Sequence, residues 1–592
     1  MSFNRYYQDE LIALRELGKE YAKRNPALAP FLDTPGRDPD VERILEGFAF
    51  LTGRLRQKID DEFPEIIHSL FNLLWANYLR QIPASSIVRY EPSGNISGSV
   101  PIPRGTMVNS VKAEGTHCQF RTVYDTEILP LRIIGQSFLE KNGEASLILK
   151  FKSLGVPLEN IPLSKLRFFI HGEPAIAHTI YHSMVAKTTE VRFALQNNEK
   201  KPVITATIPA QSAIRPVGFL ESEGLYPYPA NTFPGYRILQ EYFCFPEKFL
   251  FVEVRELASG INRQILAEFP GEDEFELHFV MPDLPESFES FRVDNWQLYC
   301  TPVVNLFQMD AAPLTLNHKQ TEYRIVPDPR LPYHYATYSV DRVETWGHDD
   351  RKRRNYVEFE SFEHESLGRD SRTYYRRQIR PSHKDGAPET YISFMQAPGG
   401  VEIPQAETIS MELTCTNRDL PRELGVGDIN VHADNTPDTV AFRNITPVIP
   451  PFNPPLEGDQ LWRLLSNMSL NYIALSDIAA LRAIISAYAF RARHDRPRER
   501  ILEKTLQGMI SISCQQTDRI HKGLPVRGMR TTLTLDQRSF SCEGDMFLFG
   551  SVLNEFFALY ATVNSFHQLV VVESKRGEEY IWPARLGKIY VQ

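Results

Sequence analysis

Trp296-Gln-Leu-Tyr-Cys-Thr-Pro-Val-Val-Asn-Leu-Phe307 continues into Ala312-Pro-Leu-Thr-Leu316 and Thr321-Glu-Tyr-Arg-Ile-Val-Pro-Asp328. From Leu298 to Phe307 the side chains are almost wholly apolar, aromatic or β-branched. That composition fits a strand buried on both faces, or the apolar floor between two domains. Pro302 removes a backbone donor from the middle of the run, which predicts two short extended pieces or an edge strand. Pro327, Pro329 and Pro332 close the stretch. It reads as a rigid connector with a strongly apolar surface, and no residue in it is placed for chemistry.

Working outward, 592 residues predict roughly four domains, or three larger ones. A hydrophobic fraction of 42% and a charged fraction of 23% are those of a globular protein. Forty-two prolines punctuate the chain and predict much strand and loop, while 36 Phe and 25 Tyr suit large cores and interfaces. The net charge of −9 opposes binding to nucleic acid through bulk charge. Six cysteines lie scattered without a Cys-x-x-Cys pair, which disfavours zinc and fits buried free thiols in a reducing compartment. The polar N-terminus is no secretory signal, and no apolar run reaches the ~18 residues of a membrane span. A soluble, cytoplasmic protein is expected.

Residues 1–83 read as three helices. Phe3, Tyr7, Leu11, Leu14, Leu17 and Tyr21 recur at spacings of three and four and form one apolar stripe. Asp38 and Pro39 form an N-cap and first turn for a second helix, with Val41, Ile44, Leu45, Phe48, Leu55 and Ile59 on one face. Pro64 opens a third helix carrying Ile67, Leu70, Phe71, Leu74, Trp75 and Tyr78. Two readings stay open: a self-contained helical subdomain, or an incomplete bundle whose stripes pack on helices of another chain.

Residues 84–455 read as mainly β, in two parts, 84–225 with a short helix and 226–455. Asn142-Gly143 is a hairpin turn signal, and Ala145, Leu147, Leu149 and Phe151 alternate as in a half-buried strand. Phe275, Leu277, Phe279 and Met281 alternate likewise. On a helix after Pro174, His178 and His182 share a face. The absence of an adjacent Glu or a third ligand favours ordinary, partly exposed histidines over a metal. Tyr236–Phe251 is an aromatic-rich helix-to-strand passage broken at Pro246, with Glu241 and Glu247 read as surface or capping carboxylates. Arg351–Arg354 and Arg372, Arg376, Arg377 and Arg380 are basic clusters interleaved with tyrosines, but Glu358, Glu360, Glu363 and Glu365 between them point to a mixed-charge loop or mobile hairpin, or to a protein-docking arm. Pro-rich residues 446–455 form an extended linker. The C-terminal part, 456–592, reads as α+β: helices around Trp462–Tyr472 and Ala480–Tyr488 and from Pro497, a strand at Thr531–Leu535, a helix at Phe547–Tyr560 and a strand at Leu569–Val572.

No phosphate-binding glycine loop and no dinucleotide fingerprint occurs, and Ser97 in Gly94-Asn-Ile-Ser-Gly98 stands one place away from a nucleophile elbow. No catalytic, cofactor-binding or metal residue is assigned, and the chain is read as a non-enzyme.

The segments Cys300–Phe307, Glu322-Tyr323 and Pro327-Asp328, with Tyr6-Tyr7, Glu10-Leu11, Asp38–Arg43, Tyr236–Phe251, Leu413–Pro421 and Trp462–Tyr472, resemble in order the TssF (VasA/ImpG) family of type VI secretion system baseplate subunits. The match spans essentially the whole chain. Ile102–Thr106 and Cys118–Thr122 resemble a short strand and turn of contractile-phage wedge proteins. Cys542-Glu-Gly-Asp545 departs from a glycine-richer family turn. The resemblance implies an α+β multidomain fold with an N-terminal helical bundle segment, a large β-rich middle and a C-terminal mixed α/β domain. It implies a structural role in the baseplate wedge, with two copies per TssG, contacts to TssE and TssK, and the VgrG spike hub at the centre. It also implies coupling of baseplate rearrangement to sheath contraction, and docking at the inner membrane only through the secretion complex. On that reading the stripe Leu11, Leu14, Leu17 and Tyr21 faces a partner. A β-rich carbohydrate-active or carbohydrate-binding protein and a nucleic-acid-binding scaffold are the competing classes.

Overall fold

The computed structural model describes residues 7, 8, 10–12, 14 and 17, then 39–92, 98–141, 143–196, 201–229, 233–260, 265, 269, 272–285, 287–317, 320–346, 354–359, 373–382, 387–396, 407–454, 477–489, 491–492, 495–521, 523–561 and 565–587. Two compact units result: Met1–Leu79 with Pro455–Ser466, and Arg80–Pro454 with Asn467–Gln592.

In the first unit, helix α1 spans Pro39–Trp75 and passes into a 3₁₀ turn, Ala76–Leu79. Tyr78 closes its end, with its ring 5.3 Å from that of Phe71 and 4.8 Å from that of Trp75. The sequence reading divided this segment at Pro64; the helix instead runs through it. A proline inside a helix costs one hydrogen bond and crowds the preceding turn, which weakens the helix without forbidding its continuation. The Asp38 cap and the third turn of the first stripe, Tyr21, lie outside the described residues.

The second unit is built from mainly antiparallel sheets, and the stretch from Trp296 threads three of them. Trp296–Leu298 pairs with Leu166–Ile170 at the edge of a four-stranded sheet. Cys300–Val304 lies inside a six-stranded sheet, between Ser85–Glu91 and Thr116–Thr122. Phe307–Asp310 pairs with Glu407–Thr416 at the edge of an eight-stranded sheet. All five residues of Cys300–Val304 are buried, as a strand covered on both faces requires.

The strand is interior, so the edge alternative for Pro302 falls. Pro302 stands opposite Ile87, whose own N–H and C=O are directed elsewhere, to Thr446 Oγ1 and the Ile445 N–H. No donor is called for on that side, and on the other the Pro302 carbonyl accepts the Val123 N–H at 2.9 Å.

The two changes of sheet need special backbone. Tyr299, between the first two strands, has φ +58°, and its hydroxyl donates to the Leu131 carbonyl at 3.1 Å. At the second crossing the fully buried Asn305 and Asn417 grip one another. The Asn305 Oδ1 accepts the Asn417 N–H at 2.7 Å, and the Asn305 Nδ2 donates to Asn417 Oδ1 at 2.8 Å and to the Gln119 carbonyl at 2.7 Å. Asn417 Oδ1 also accepts the Gln119 N–H at 2.9 Å. These side chains supply the hydrogen bonds that a ladder would have supplied had the chain stayed in one sheet.

A five-stranded sheet centres on Glu274–Met281, between Glu190–Gln196 and Glu144–Ser153. Its hairpin turns at Gly143, φ +79°, where the turn signal stood. Helix α2 spans Pro174–His182 and helix α3 spans Pro234–Cys244.

Toward the C-terminus come α4, Ile478–Tyr488, and α5, Arg496–Gly508. A long hairpin follows, Met509–His521 with Leu524–Leu535. Helix α6, Glu543–Ala558, then carries the chain to Phe566–Glu573, which runs parallel to Leu524–Leu535. At the departing turn Gly544 lets α6 approach α2 closely: a Cβ there would stand 2.1 Å from the His178 carbonyl oxygen. The fold is thus α+β, with strands dominant.

Asn305→Ala would leave the buried Asn417 N–H without its acceptor and take a donor from the Gln119 carbonyl, at about 1–3 kcal/mol for each group. The expected result is a large drop in the urea midpoint of the strand signal in circular dichroism; an unchanged midpoint would show that the crossing does not depend on this pair.

Candidate interaction surfaces and buried charge clusters

On the first helix the described residues divide by burial. Tyr7, Leu11 and Leu14 are half-buried, while Leu17 is 61% exposed and Ile12 54%. The stripe therefore has a part left bare, at Leu17. Helix α1 carries a second bare surface. Ile44, Phe48 and Leu51, at spacings of four and three, share one face and are all more than half exposed. Ala49 and Gly53 are buried on the other side of the same turns. The sequence reading put Ile44, Leu45 and Phe48 on a single face; the structure separates an inward side from an outward apolar one.

The aromatic passage from Tyr236 corrects the reading of its carboxylate. Glu241 is fully buried rather than on the surface. It forms ion pairs with Lys248, itself fully buried, and with Arg237 at 3.2 Å, and it accepts the Leu225 N–H at 2.8 Å. The Lys248 ammonium also donates to the Gly218 carbonyl at 3.0 Å. Burial lowers the Lys248 pKa to about 8 against the opposing pull of Glu241. Next to this pair, Glu253 stands opposite Arg167 on one neighbouring strand and Arg215 on the other. Arg167 reaches it at 2.8 Å, Arg255 at 2.8 Å and Arg215 at 3.3 Å. Burial alone would raise the Glu253 pKa; Arg167 and its two companions outweigh it and hold the carboxyl at about 2. Glu241 and Glu253 are each saturated by cations, which is the reverse of the partly free, facing carboxylates a glycosidase uses.

At the junction of α2 and α6, His182 is buried rather than partly exposed. Its Nδ1 lies 3.8 Å from Glu543, and His178 Nε2 lies 3.9 Å from Asp545. The two imidazoles thus face different carboxylates. Among the described residues no group of three or more His, Cys, Asp or Glu could hold a metal ion. Ser541 Oγ donates to Asp545 at 2.9 Å, which puts the carboxylate between serine and histidine, the wrong order for a nucleophilic triad.

The basic segment is also revised. Arg354–Glu358 and Thr373–Pro381 are strands of the eight-stranded sheet, paired in parallel. Arg377 is buried and lies 3.4 Å from Glu358, and Arg380 pairs with Glu322 at 2.9 Å. Residues 351–353 and 360–372 lie outside the described residues.

Two buried histidines make stability depend on pH. Burial lowers the pKa of His182 and of His567, which accepts or donates at Thr531 Oγ1, to about 4 from 6.5. The unfolded chain therefore takes up protons that the folded one refuses. Stability is full above pH 6.5 and declines as the pH falls toward 4, by roughly 3 kcal/mol per histidine over the whole interval. Urea midpoints taken between about pH 7 and about pH 4 should show this fall, and His567→Gln should remove about half of it; a flat wild-type profile would refute the assignment.

With this geometry in hand, comparisons with known proteins are consistent with one another. A family model described as "Type VI secretion system, TssF" matches residues 1–589. The chain is 28% identical, over 98% of each sequence, to the type VI secretion system component TssF1 of Pseudomonas aeruginosa. It resembles a chain of a TssK-TssF-TssG baseplate subcomplex determined by cryo-electron microscopy, with a TM-score of 0.75 and 29% identity, over 92% of this chain and 98% of that one. A chain of a type VI secretion baseplate complex shares the fold over the full length of both, with a TM-score of 0.60 at 24% identity.

Proposed function

The chain belongs to the TssF family of the type VI secretion system, and from that premise we propose that it is a structural subunit of the baseplate, assembled with counterparts of TssG and TssK. The observation that carries the reading beyond family membership is the bare apolar surface of the N-terminal helices: Leu17 on the first, and Ile44, Phe48 and Leu51 on α1. Covering a side chain of this kind contributes about 1.5–3 kcal/mol. Three in helical register make a seam of the sort one helix offers another. Leu11, Leu14, Leu17 and Tyr21, with the outward face of α1, are therefore assigned to a helical bundle shared with the TssG counterpart, and residues 1–83 to the core-bundle region.

The finer role follows the same reading. A second copy of the chain, TssE and the VgrG spike hub complete the wedge environment. The protein transmits baseplate rearrangement to sheath contraction by changes in packing, without chemistry of its own. Its saturated carboxylates support a non-catalytic role. No helix among the described residues is long and apolar enough to cross a membrane, so contact with the inner membrane is assigned to the rest of the apparatus.

Leu14→Asp and Leu17→Asp should each abolish co-purification with the TssG counterpart, and Phe48→Asp should weaken it at least tenfold, while the strand signal of the second unit is retained. Undiminished co-purification of all three variants would mean that these side chains belong to an internal core.

A further inference from the structure

The hairpin Met509–His521 with Leu524–Leu535 outgrows its sheet. The third strand, Phe566–Glu573, pairs with Leu524–Leu535 only from Met529 onward. The last five pairs, Thr517 with Gly528 through His521 with Leu524, therefore form a two-stranded ribbon with no third strand beside it among the described residues. Its base is fixed at Gly528, where a Cβ would stand 2.4 Å from the Phe566 carbonyl oxygen and ring. Arg519 holds it there too, bonding Gln568 at 3.4 Å with its guanidinium 5.9 Å from the Phe566 ring.

A free two-stranded ribbon is marginal in water and gains nothing from apolar side chains at its tip. Yet Ile520 is 82% exposed and Leu524 68%. Side chains directly opposite each other in an antiparallel pair share a face. Ile520 stands opposite Pro525, and Leu524 opposite His521, so the two aliphatic side chains point to opposite faces of the ribbon. A flat surface would cover only one of them; a pocket covers both.

Charge gives the second half of the argument. Residues 517–528 carry Arg519, Lys522 and Arg527 against Asp518, a net +2 in a chain of −9, so the rest of the chain carries −11. On the ribbon, Arg527 is 74% exposed, with Asp518 at 3.4 Å as a surface partner. A cationic ribbon with an aliphatic tip is complementary to an apolar pocket with a carboxylate rim. An anionic bilayer fits less well, because it would repel the acidic remainder of the chain and two aliphatic side chains anchor weakly.

We propose that the ribbon Thr517–Gly528 is a docking arm whose tip, Ile520 and Leu524, inserts into an acidic-rimmed apolar pocket of a neighbouring subunit of the same assembly. This rests on the assignment of the chain to a baseplate.

The test places a photo-reactive phenylalanine analogue at position 520 of the full chain, in cells assembling the secretion apparatus. The expected result is an adduct with one baseplate subunit, mapped to a site flanked by Asp or Glu, and reduced at least fivefold by Arg527→Glu. No protein adduct, an adduct with lipid only, or an adduct insensitive to Arg527→Glu would overturn the proposal. Co-purification of the same variant with the TssG counterpart separates the two ideas. If it persists without an adduct the arm alone is wrong, and if it too is absent from the unmodified chain the baseplate reading fails.

Discussion

The paired amides of Asn305 and Asn417 do what no sheet can do for itself: they let one extended strand leave a sheet and enter another without stranding buried peptide groups. Between Val304 and Phe307 the chain leaves a six-stranded sheet for the edge of an eight-stranded one. Every peptide group there is far from water. A buried donor without a partner costs about 1–3 kcal/mol. The Asn305 side chain takes up the Asn417 N–H and Oδ1 and the Gln119 carbonyl, and Asn417 Oδ1 takes the Gln119 N–H, so the backbone groups at the crossing are paired, while Asn417 Nδ2 stays buried without a partner among the described residues. The junction is therefore a rigid joint. Sheets joined this way move together.

The buried charges work in the same sense. Glu241 with Lys248 and Arg237, and Glu253 with three arginines, lie where desolvation is expensive, so they are weak devices for stability as such. They are strong devices for geometry. Glu241 fixes Leu225, Lys248 fixes Gly218, and Glu223 takes the N–H of Gly218 at 2.7 Å. An irregular segment, residues 218–228, is thereby pinned through buried charged groups. The segment is held in one arrangement rather than several.

Much of this was legible in the sequence, and the limits have physical causes. The apolar run Leu298–Phe307 announced a doubly covered strand, and Asn142-Gly143 announced its hairpin. The alternating residues near Phe275, and the strand–helix–strand order from Thr531 to Val572, were read from period alone. Pro302 misled because a missing donor matters only where the register asks for one. Pro64 misled because proline weakens a helix without always ending it. Glu241 and His182 looked like surface groups because a single sequence does not show which cations or rings will close over them. The hairpin strand Met509–His521 escaped notice for the opposite reason: Ser-Cys-Gln-Gln-Thr-Asp is polar on both faces, so it has no apolar period to read. The stripe Leu11, Leu14 and Leu17 was legible as amphipathic, but amphipathicity alone cannot distinguish a face that the chain covers from one left to a partner.

That last ambiguity is resolved in general by exposure, not by pattern. A helix in a self-sufficient domain buries its apolar stripe and turns polar residues outward. Helix α1 buries Ala49 and Gly53 and still leaves Ile44, Phe48 and Leu51 in solvent. The ribbon at Ile520 and Leu524 does the same at the other end of the sequence, on an element with little support of its own. In both places the apolar atoms add nothing to the stability of the isolated chain and make it more prone to associate. By contrast the buried Asn305 side chain has partners for both its oxygen and its nitrogen. The proposed attachment to neighbouring subunits rests on these two exposed elements, the helix face and the ribbon.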